Sequence, residues 1–328
     1  MAEEKRIISY AEAIREAMCE EMRRDENVYL MGEDIGVYGG CFGVTTGMQE
    51  EFGPERVRET PISETAFVGA AIGSAMLGKR PIVELMYSDF AGVCFDQIIN
   101  QAAKIHYMFG GKNKVPMVLR APQGGGTGAA AQHSQTLEAM YAHVPGLKVV
   151  VPGNAYDAKG LLKTAVRDNN PVIFLETKLL YKTECEVPAE EYTIPFGAAA
   201  TKHGGTDITL ISWGRTVQMC MEAAEKLEKE GKSCEVIDIR TLVPLDIDTI
   251  IASVKKTHKL VIVHEAAKTG GFGAEIAAQI CESEAFSYLD APIKRVAARD
   301  CPIPFSPILE RECLPSTERI EAAIREII

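Results

Sequence analysis

GLKVVVPGNAYDAKGLLKTAVRDNNPVIFLE (146–176) reads as strand, helix and strand. LKVVVP (147–152) and PVIFLE (171–176) are short apolar runs rich in Val and Ile. Between them Asn154 can cap a helix over 154–167, with Ala158, Leu161, Leu162, Ala165 and Val166 on one face. Runs that stay apolar instead of alternating are expected of strands buried on both faces of a parallel sheet. Outward from this unit the pattern repeats in VYLM (28–31), PIVEL (81–85) and VPMVLR (115–120), with helical stretches near 64–77 and 91–108. Upstream, Ser9 and Glu12 form a capping box for a helix over Ser9–Arg24, whose Ile14, Ala17, Met18 and Met22 share a face.

After residue 176 the pattern lapses into a stretch with two prolines, an acidic cluster and a Gly pair, as an interdomain crossing does. A second alternation follows: strands DITLIS (207–212), CEVIDI (234–239), KLVIVHE (259–265) and IKRVAA (293–298), with helices over 216–230, 246–256 and 273–284. The expectation is an α/β protein with mostly parallel sheets: a first domain over 1–185, a linker over 186–205 and a second domain over 206–328.

The 328 residues are 46% hydrophobic and 25% charged, enough to build buried cores. The net charge of −11 argues against nucleic acid and anionic membranes, which attract basic patches. The first 25 residues contain no apolar core of a signal peptide, and no stretch reaches the ~20 apolar residues of a membrane span. The nine cysteines are scattered, with no CxxC pair, and the histidines show no ligand spacing, so free thiols and a cytoplasmic location are expected. Any metal would need oxygen ligands.

Four segments could carry chemistry. In TPISETAFVGAAIGSAMLGKRPIVELM (60–86), Ser63 can cap a helix rich in small residues, which permit close approach of another helix or subunit. Glu64 opens it, either as a carboxyl held among apolar groups that trades protons near neutral pH, or as an exposed acid serving the helix dipole. In LRAPQGGGTGAAAQHSQ (119–135), glycines follow a strand and lead to His133, at the strand end where ligands of open sheets gather. TGGFGAEIA (269–277) lacks the last glycine of a dinucleotide turn and reads better as a tight strand-to-helix turn. VRDNNPVIF (166–174) reads as a turn whose carbonyls could also hold a hard cation.

The motifs GEDIG (32–36), TPISE (60–64), FDQIINQAAK (95–104), AAQHSQ (130–135), GLKVVVP (146–152), YDAKGLL (156–162), RDNNPVIFLE (167–176) and LDAPIKRV (289–296) run in one order over nearly the whole chain. Together they resemble the β subunit of the thiamine-diphosphate-dependent dehydrogenase component of 2-oxo acid and acetoin dehydrogenase complexes. The tract ELMYSDFAGVCFDQIINQAAKIHYMFGGK (84–112) looks closest to the acetoin-cleaving and pyruvate-cleaving branches.

The resemblance implies a transketolase-like pyrimidine-binding domain followed by a transketolase C-terminal domain. It implies that Glu64 hydrogen-bonds the ring nitrogen of the cofactor's aminopyrimidine, that Met86 and Phe90 line that ring, and that His133 assists acyl transfer to a lipoyl sulfur. It further implies a potassium site at Met117, Ala165, Val166, Asp168 and Asn170. The family's magnesium and diphosphate motif, Gly-Asp-Gly, is absent from this chain. The implied partner is therefore an α subunit that holds magnesium and the diphosphate, in an α2β2 heterotetramer that serves a lipoyl acyltransferase core. Two other readings stay open, a branched-chain 2-oxo acid dehydrogenase β subunit and a non-catalytic assembly homologue.

Overall fold

The computed structural model describes residues 6–328, and these fall into two compact units. One comprises the chain up to Gln123 together with Met140–Phe196; the other comprises Gly124–Ala139 together with Gly197–Ile328. Up to Phe196 the elements are β1 (Ile7–Ser9), α1 (Tyr10–Arg24), β2 (Val28–Gly32), α2 (Met48–Phe52), β3 (Val57–Glu59), α3 (Glu64–Met76), β4 (Arg80–Glu84), α4 (Ile105–Met108), β5 (Val118–Gln123), α5 (Glu138–Ala142), β6 (Lys148–Val150), α6 (Ala155–Arg167), β7 (Val172–Thr177) and β8 (Glu184–Glu186). Six strands of the first unit lie in the order β6-β7-β5-β4-β2-β3, and every neighbouring pair is parallel. β1 and β8 form a separate antiparallel pair.

The expected capping box is present: Ser9 Oγ accepts from Glu12 N–H, and Ser9 N–H donates to the Glu12 carboxylate. α1 packs Tyr10, Ile14, Ala17 and Met18 with Leu161, Leu162 and Ala165 of α6 in one apolar core. Asn154 caps α6 as its sequence position predicts, accepting from Asp157 N–H at 2.8 Å.

The single helix expected over 91–108 is replaced by three short pieces. A 3-10 turn covers Ser88–Gly92, a π-helical turn covers Gln97–Ala102, and α4 follows. The widened turn ends where Gly146 presses on the backbone of Ala103; a Cβ on Gly146 would stand 2.1 Å from Ala103 O.

Three charged residues sit inside the first sheet. Arg120 of β5 is fully buried, forks onto Glu176 of β7 (Nε to Oε1 2.6 Å, Nη2 to Oε2 2.9 Å) and reaches Glu84 of β4 (Nη1 to Oε2 2.6 Å). Tyr181 adds its hydroxyl to Glu176 Oε2 at 2.6 Å. Register builds this group, because Glu84 is paired with Arg120, and Glu176 stands two residues beyond Arg120's partner Phe174, on the same face.

The second unit contains β9 (Ala200–His203), β10 (Ile208–Ser212), α7 (Thr216–Glu228), β11 (Cys234–Asp238), β12 (Thr241–Val243), α8 (Ile247–Thr257), β13 (Leu260–Ala267), α9 (Phe272–Glu282), β14 (Lys294–Ala298), α10 (Pro307–Cys313) and α11 (Thr317–Arg325). Its sheet runs β14-β13-β10-β11-β9, parallel except for the antiparallel edge strand β9. Gly124–Ala139, which the sequence pattern assigns to the first domain, belongs to this unit for a polar reason. Buried carboxylates need donors. Glu265 accepts from Gly125 N–H at 2.7 Å, while Glu310 accepts from Gly126 N–H at 2.7 Å and from Gly128 N–H at 3.1 Å. No helix among the described residues is long and apolar enough to cross a membrane.

His264 of β13 is buried and stacks on Trp213, ring centroids 5.3 Å apart. Cβ atoms added to Gly271 and Gly273 would lie 2.6 and 2.7 Å from its ring, so the glycines of TGGFGAE serve this packing. Burial, with help from the charge of Arg295, lowers the imidazole pKa to about 4. A base whose folded pKa is depressed stabilises the fold above its unfolded pKa and loses that contribution as pH falls. Acidification from pH 7 to 4 is therefore expected to cost the second unit about 3 kcal/mol through His264. Urea midpoints followed by fluorescence of Trp213, the sole tryptophan, check this. In His264→Phe the fall between pH 7 and 4 should shrink by that amount; an unchanged fall would clear His264 of the role.

Candidate active site

In a parallel sheet the carboxyl ends of neighbouring strands lie side by side, and ligands of open α/β sheets gather there. β3, β2 and β4 are neighbours, and each is followed by a residue of interest. Glu33 follows β2, Glu64 opens α3 after β3, and Met86 and Phe90 follow β4. Gly32 makes the close strand approach possible: a Cβ there would be 2.9 Å from Glu84 O.

Glu64 is 7% exposed, which removes the reading of an exposed helix-dipole acid. Ser63 does not cap α3 with its side chain as expected; its hydroxyl donates to Pro61 O, and its N–H donates to Glu33 Oε1 at 3.3 Å. Glu33 therefore stands at the mouth of α3 beside Glu64. Burial, reinforced by the charge of Glu64, pushes its carboxyl pKa up. The nearby thiol of Cys94 is pushed up to about 12 by burial and then by Glu64. The raised pKa of Glu33 places a carboxyl that holds its proton beside Glu64. The role of Glu33 is missing from the sequence reading. GEDIG is visible there, but which acid faces Glu64 depends on strand order.

Met86 and Phe90 are half-buried. Phe90 meets Tyr87 edge-on at 5.5 Å, Tyr87 meets Phe42 at 5.6 Å, and Phe42 stacks on Tyr181 at 5.1 Å. The result is an aromatic wall next to a thioether, the kind of surface a flat ring rests on. Phe42 and Tyr87 enter it without any local sequence signal.

His133 lies ten residues beyond β5, in the segment that belongs to the second unit, and is half-buried. Ala130, just upstream, has φ +60°, a left-handed conformation costly for a residue with a Cβ. The glycines before it serve carboxylates of their own unit more than an open ligand surface. A Cβ on Gly124 would stand 2.5 Å from Glu265 Oε1.

Of the implied potassium ligands, Ala165 and Val166 lie in the last turn of α6, Asp168 and Asn170 in the turn that follows it, and Met117 just before β5. Val166 O and Asp168 O both accept from Arg80 Nη1 at 2.9 Å, Met117 O accepts from Val172 N–H at 2.9 Å, and Ala165 O accepts from Asp168 N–H at 3.3 Å. Asp168 pairs with Lys148 and also accepts from Asn170 N–H and Nδ2 at 2.8 Å. Val166 O and Asp168 O converge on one cationic nitrogen and mark a place for positive charge, and each keeps a second lone pair. Among the described residues no group of three or more His, Cys, Asp or Glu assembles into a metal cluster.

Comparison with known families matches residues 6–184 to "Transketolase, pyrimidine binding domain" and 197–320 to "Transketolase, C-terminal domain". The β subunit of the pyruvate dehydrogenase E1 component of Rickettsia felis is 50% identical, over 98% of both chains. The chain belongs to this family of dehydrogenase β subunits. Two Bacillus subtilis relatives, the β subunits of acetoin:2,6-dichlorophenolindophenol oxidoreductase and of 2-oxoisovalerate dehydrogenase, are each 48% identical over 98% of both chains. A split-gene transketolase, solved as an inactive β4 tetramer, superimposes with a TM-score of 0.81 over 98% of both chains. At 24% identity that likeness speaks for the two-domain α/β fold alone.

Proposed function

We propose that this chain works with a separate α subunit as a thiamine-diphosphate-dependent dehydrogenase that cleaves acetoin or pyruvate and passes the acyl group to a lipoyl acyltransferase core. The observation that carries the reading is Glu64, buried beside a second acid at the carboxyl ends of β3 and β2, in a chain of this family. The bound cofactor would supply the thiazolium carbon at which the bond next to a carbonyl breaks. The residues present fit its aminopyrimidine half: Glu64 would hold a proton at the ring nitrogen, and Met86 and Phe90 would bound the ring's faces. Burial of Glu33, reinforced by the charge of Glu64, favours the protonated form of Glu33 and keeps a second proton close by. His133 would give a proton to the lipoyl sulfur. Magnesium and the diphosphate belong to the α subunit in this proposal, since the chain lacks Gly-Asp-Gly.

An α2β2 assembly in the cytoplasm completes the proposal. It is supported by the outer stripe of α3, where Ala66, Ala70 and Gly73 are exposed between the exposed Ile62 and Leu77. Nothing of the chain lies within 4 Å of a Cβ placed on Gly73, so a partner helix can come close.

The test is turnover of the reconstituted α and β pair on acetoin, pyruvate and 3-methyl-2-oxobutanoate. Preference for either of the first two supports the proposal. Preference for the third makes it a branched-chain enzyme, and no turnover of any supports an assembly role. One or two methylenes are worth only ~1–3 kcal/mol, so graded preferences are expected instead of absolute ones.

Potassium at Met117, Ala165, Val166, Asp168 and Asn170 is proposed as a structural ion. At a hundredfold excess over its dissociation constant it would stabilise the first unit by about 2.7 kcal/mol. Thermal unfolding in potassium chloride should then run several degrees above that in tetramethylammonium chloride of equal ionic strength. Coincident curves would refute it.

A further inference from the structure

Cys301 and Cys313 have no part in the chemistry above, yet their sulfurs lie 3.3 Å apart. Cys301 is exposed on the segment after β14, and Cys313 is the buried last residue of α10. Arg299 fixes the approach: its N–H donates to Cys313 O at 2.8 Å, and its side-chain Nε donates to Glu312 O at 2.8 Å. Cys301 also lines a cavity of about 680 Å³, together with Ser134, Gln135, Glu265, Arg299 and Leu314, so a small reagent can reach its sulfur from solvent. Closing the S–S bond requires the sulfurs to approach by only about 1.3 Å.

We propose that Cys301 and Cys313 form a reversible dithiol–disulfide site whose oxidant is a small linear disulfide. The exposed Cys301 thiolate attacks one sulfur of the reagent, making a mixed disulfide and releasing one thiolate. Cys313, losing its proton to water, attacks the Cys301 sulfur, closes the internal disulfide and releases the second thiolate. Two electrons pass from the cysteines to the reagent, which leaves as two thiols. Burial and the neighbouring Cys301 push the Cys313 thiol pKa up, and the charge of Arg299 offsets part of that, so Cys313 acts only once Cys301 holds the mixed disulfide against it. The dithiol is the resting form in a reducing compartment, and the disulfide is the transient one.

The position gives the site its reach. Cys313 ends the helix that carries Glu310, and Glu310 holds the amides of Gly126 and Gly128 upstream of His133. Oxidation pulls on α10 and through it on the glycine loop.

The test uses the reduced full-length chain, incubated with glutathione disulfide, capped with iodoacetamide and digested with trypsin. Trypsin cuts after Arg299, Arg311 and Arg319, which places the two cysteines on separate peptides, 300–311 and 312–319. The expected product is those peptides joined, lighter than their sum by two hydrogens, and separable by dithiothreitol. Cys313→Ser should stop at the glutathione adduct on Cys301. Cys301→Ser, a change at an exposed position, should leave Cys313 free. An adduct on Cys301 without the cross-link in the unaltered chain overturns the proposal. So do two thiols that alkylate no differently from Cys281, which is also exposed. Amide exchange at Gly126 and Gly128 should differ at least about threefold between the two forms. Equal exchange removes the coupling to the glycine loop.

Discussion

Glu64→Gln, assayed as the reconstituted α and β pair, is expected to lower turnover by about 10²–10⁴-fold while leaving assembly and unfolding temperature nearly unchanged. The amide keeps the shape and one hydrogen-bonding edge of the side chain but cannot share a proton with a ring nitrogen. Glu64 is buried at the start of α3, so no solvent acid can replace it without entering a poorly hydrated site. The second acid does not substitute for it, because Glu33 is committed to Ser63 N–H. Its raised carboxyl pKa arises partly from Glu64's charge, so Glu64→Gln should also lower the Glu33 pKa toward the ordinary range. Turnover within tenfold of the unaltered protein would end the assignment of Glu64 as the proton holder.

Arg120→Leu is the largest expected loss of stability. Removing one partner of a buried ion pair leaves uncompensated charge, which costs about 3–5 kcal/mol. Here two carboxylates, Glu84 and Glu176, would be left facing each other inside the sheet without their shared cation. The expected fall in unfolding temperature is about 6–20 °C. Replacing all three charges together, as Glu84→Gln, Arg120→Leu and Glu176→Gln, should recover most of it, because the cost lies in unpaired charge more than in the lost bonds. Tyr181→Phe, which removes one neutral donor, should cost only about 1 kcal/mol. If Arg120→Leu and Tyr181→Phe cost the same, the network is not what holds β4, β5 and β7 in register.

Features set by neighbours along the chain are legible in the sequence. The capping box of α1, the Asn154 cap of α6 and the apolar strand runs all depend on residues within one or two turns. For Glu64 the local residues leave two readings open, a helix-dipole acid or a proton-trading carboxyl; the resemblance supplies the role and burial removes the exposed reading. What escapes is what pairing across the sheet creates. PIVEL, VPMVLR and PVIFLE each contain one charged residue, Glu84, Arg120 and Glu176, but only register joins them into one group. Glu33 meets Glu64 for the same reason, since β2 and β3 are neighbours. The antiparallel edge strand β9 likewise comes from pairing with a distant strand, β11.

The path of the chain through Gly124–Ala139 has a consequence for dissecting the gene. The polypeptide leaves the first unit after Gln123 and returns to it at Met140, so neither unit is one uninterrupted coding block. A fragment begun anywhere in 186–199 would contain every strand of the second sheet, yet Glu265 and Glu310 would have lost the glycine amides that donate to them. The complementary fragment would carry the glycine-rich segment with no carboxylates to receive it. The natural cassette for expressing the second unit alone is a graft, with 124–139 spliced through a short linker onto 197–328.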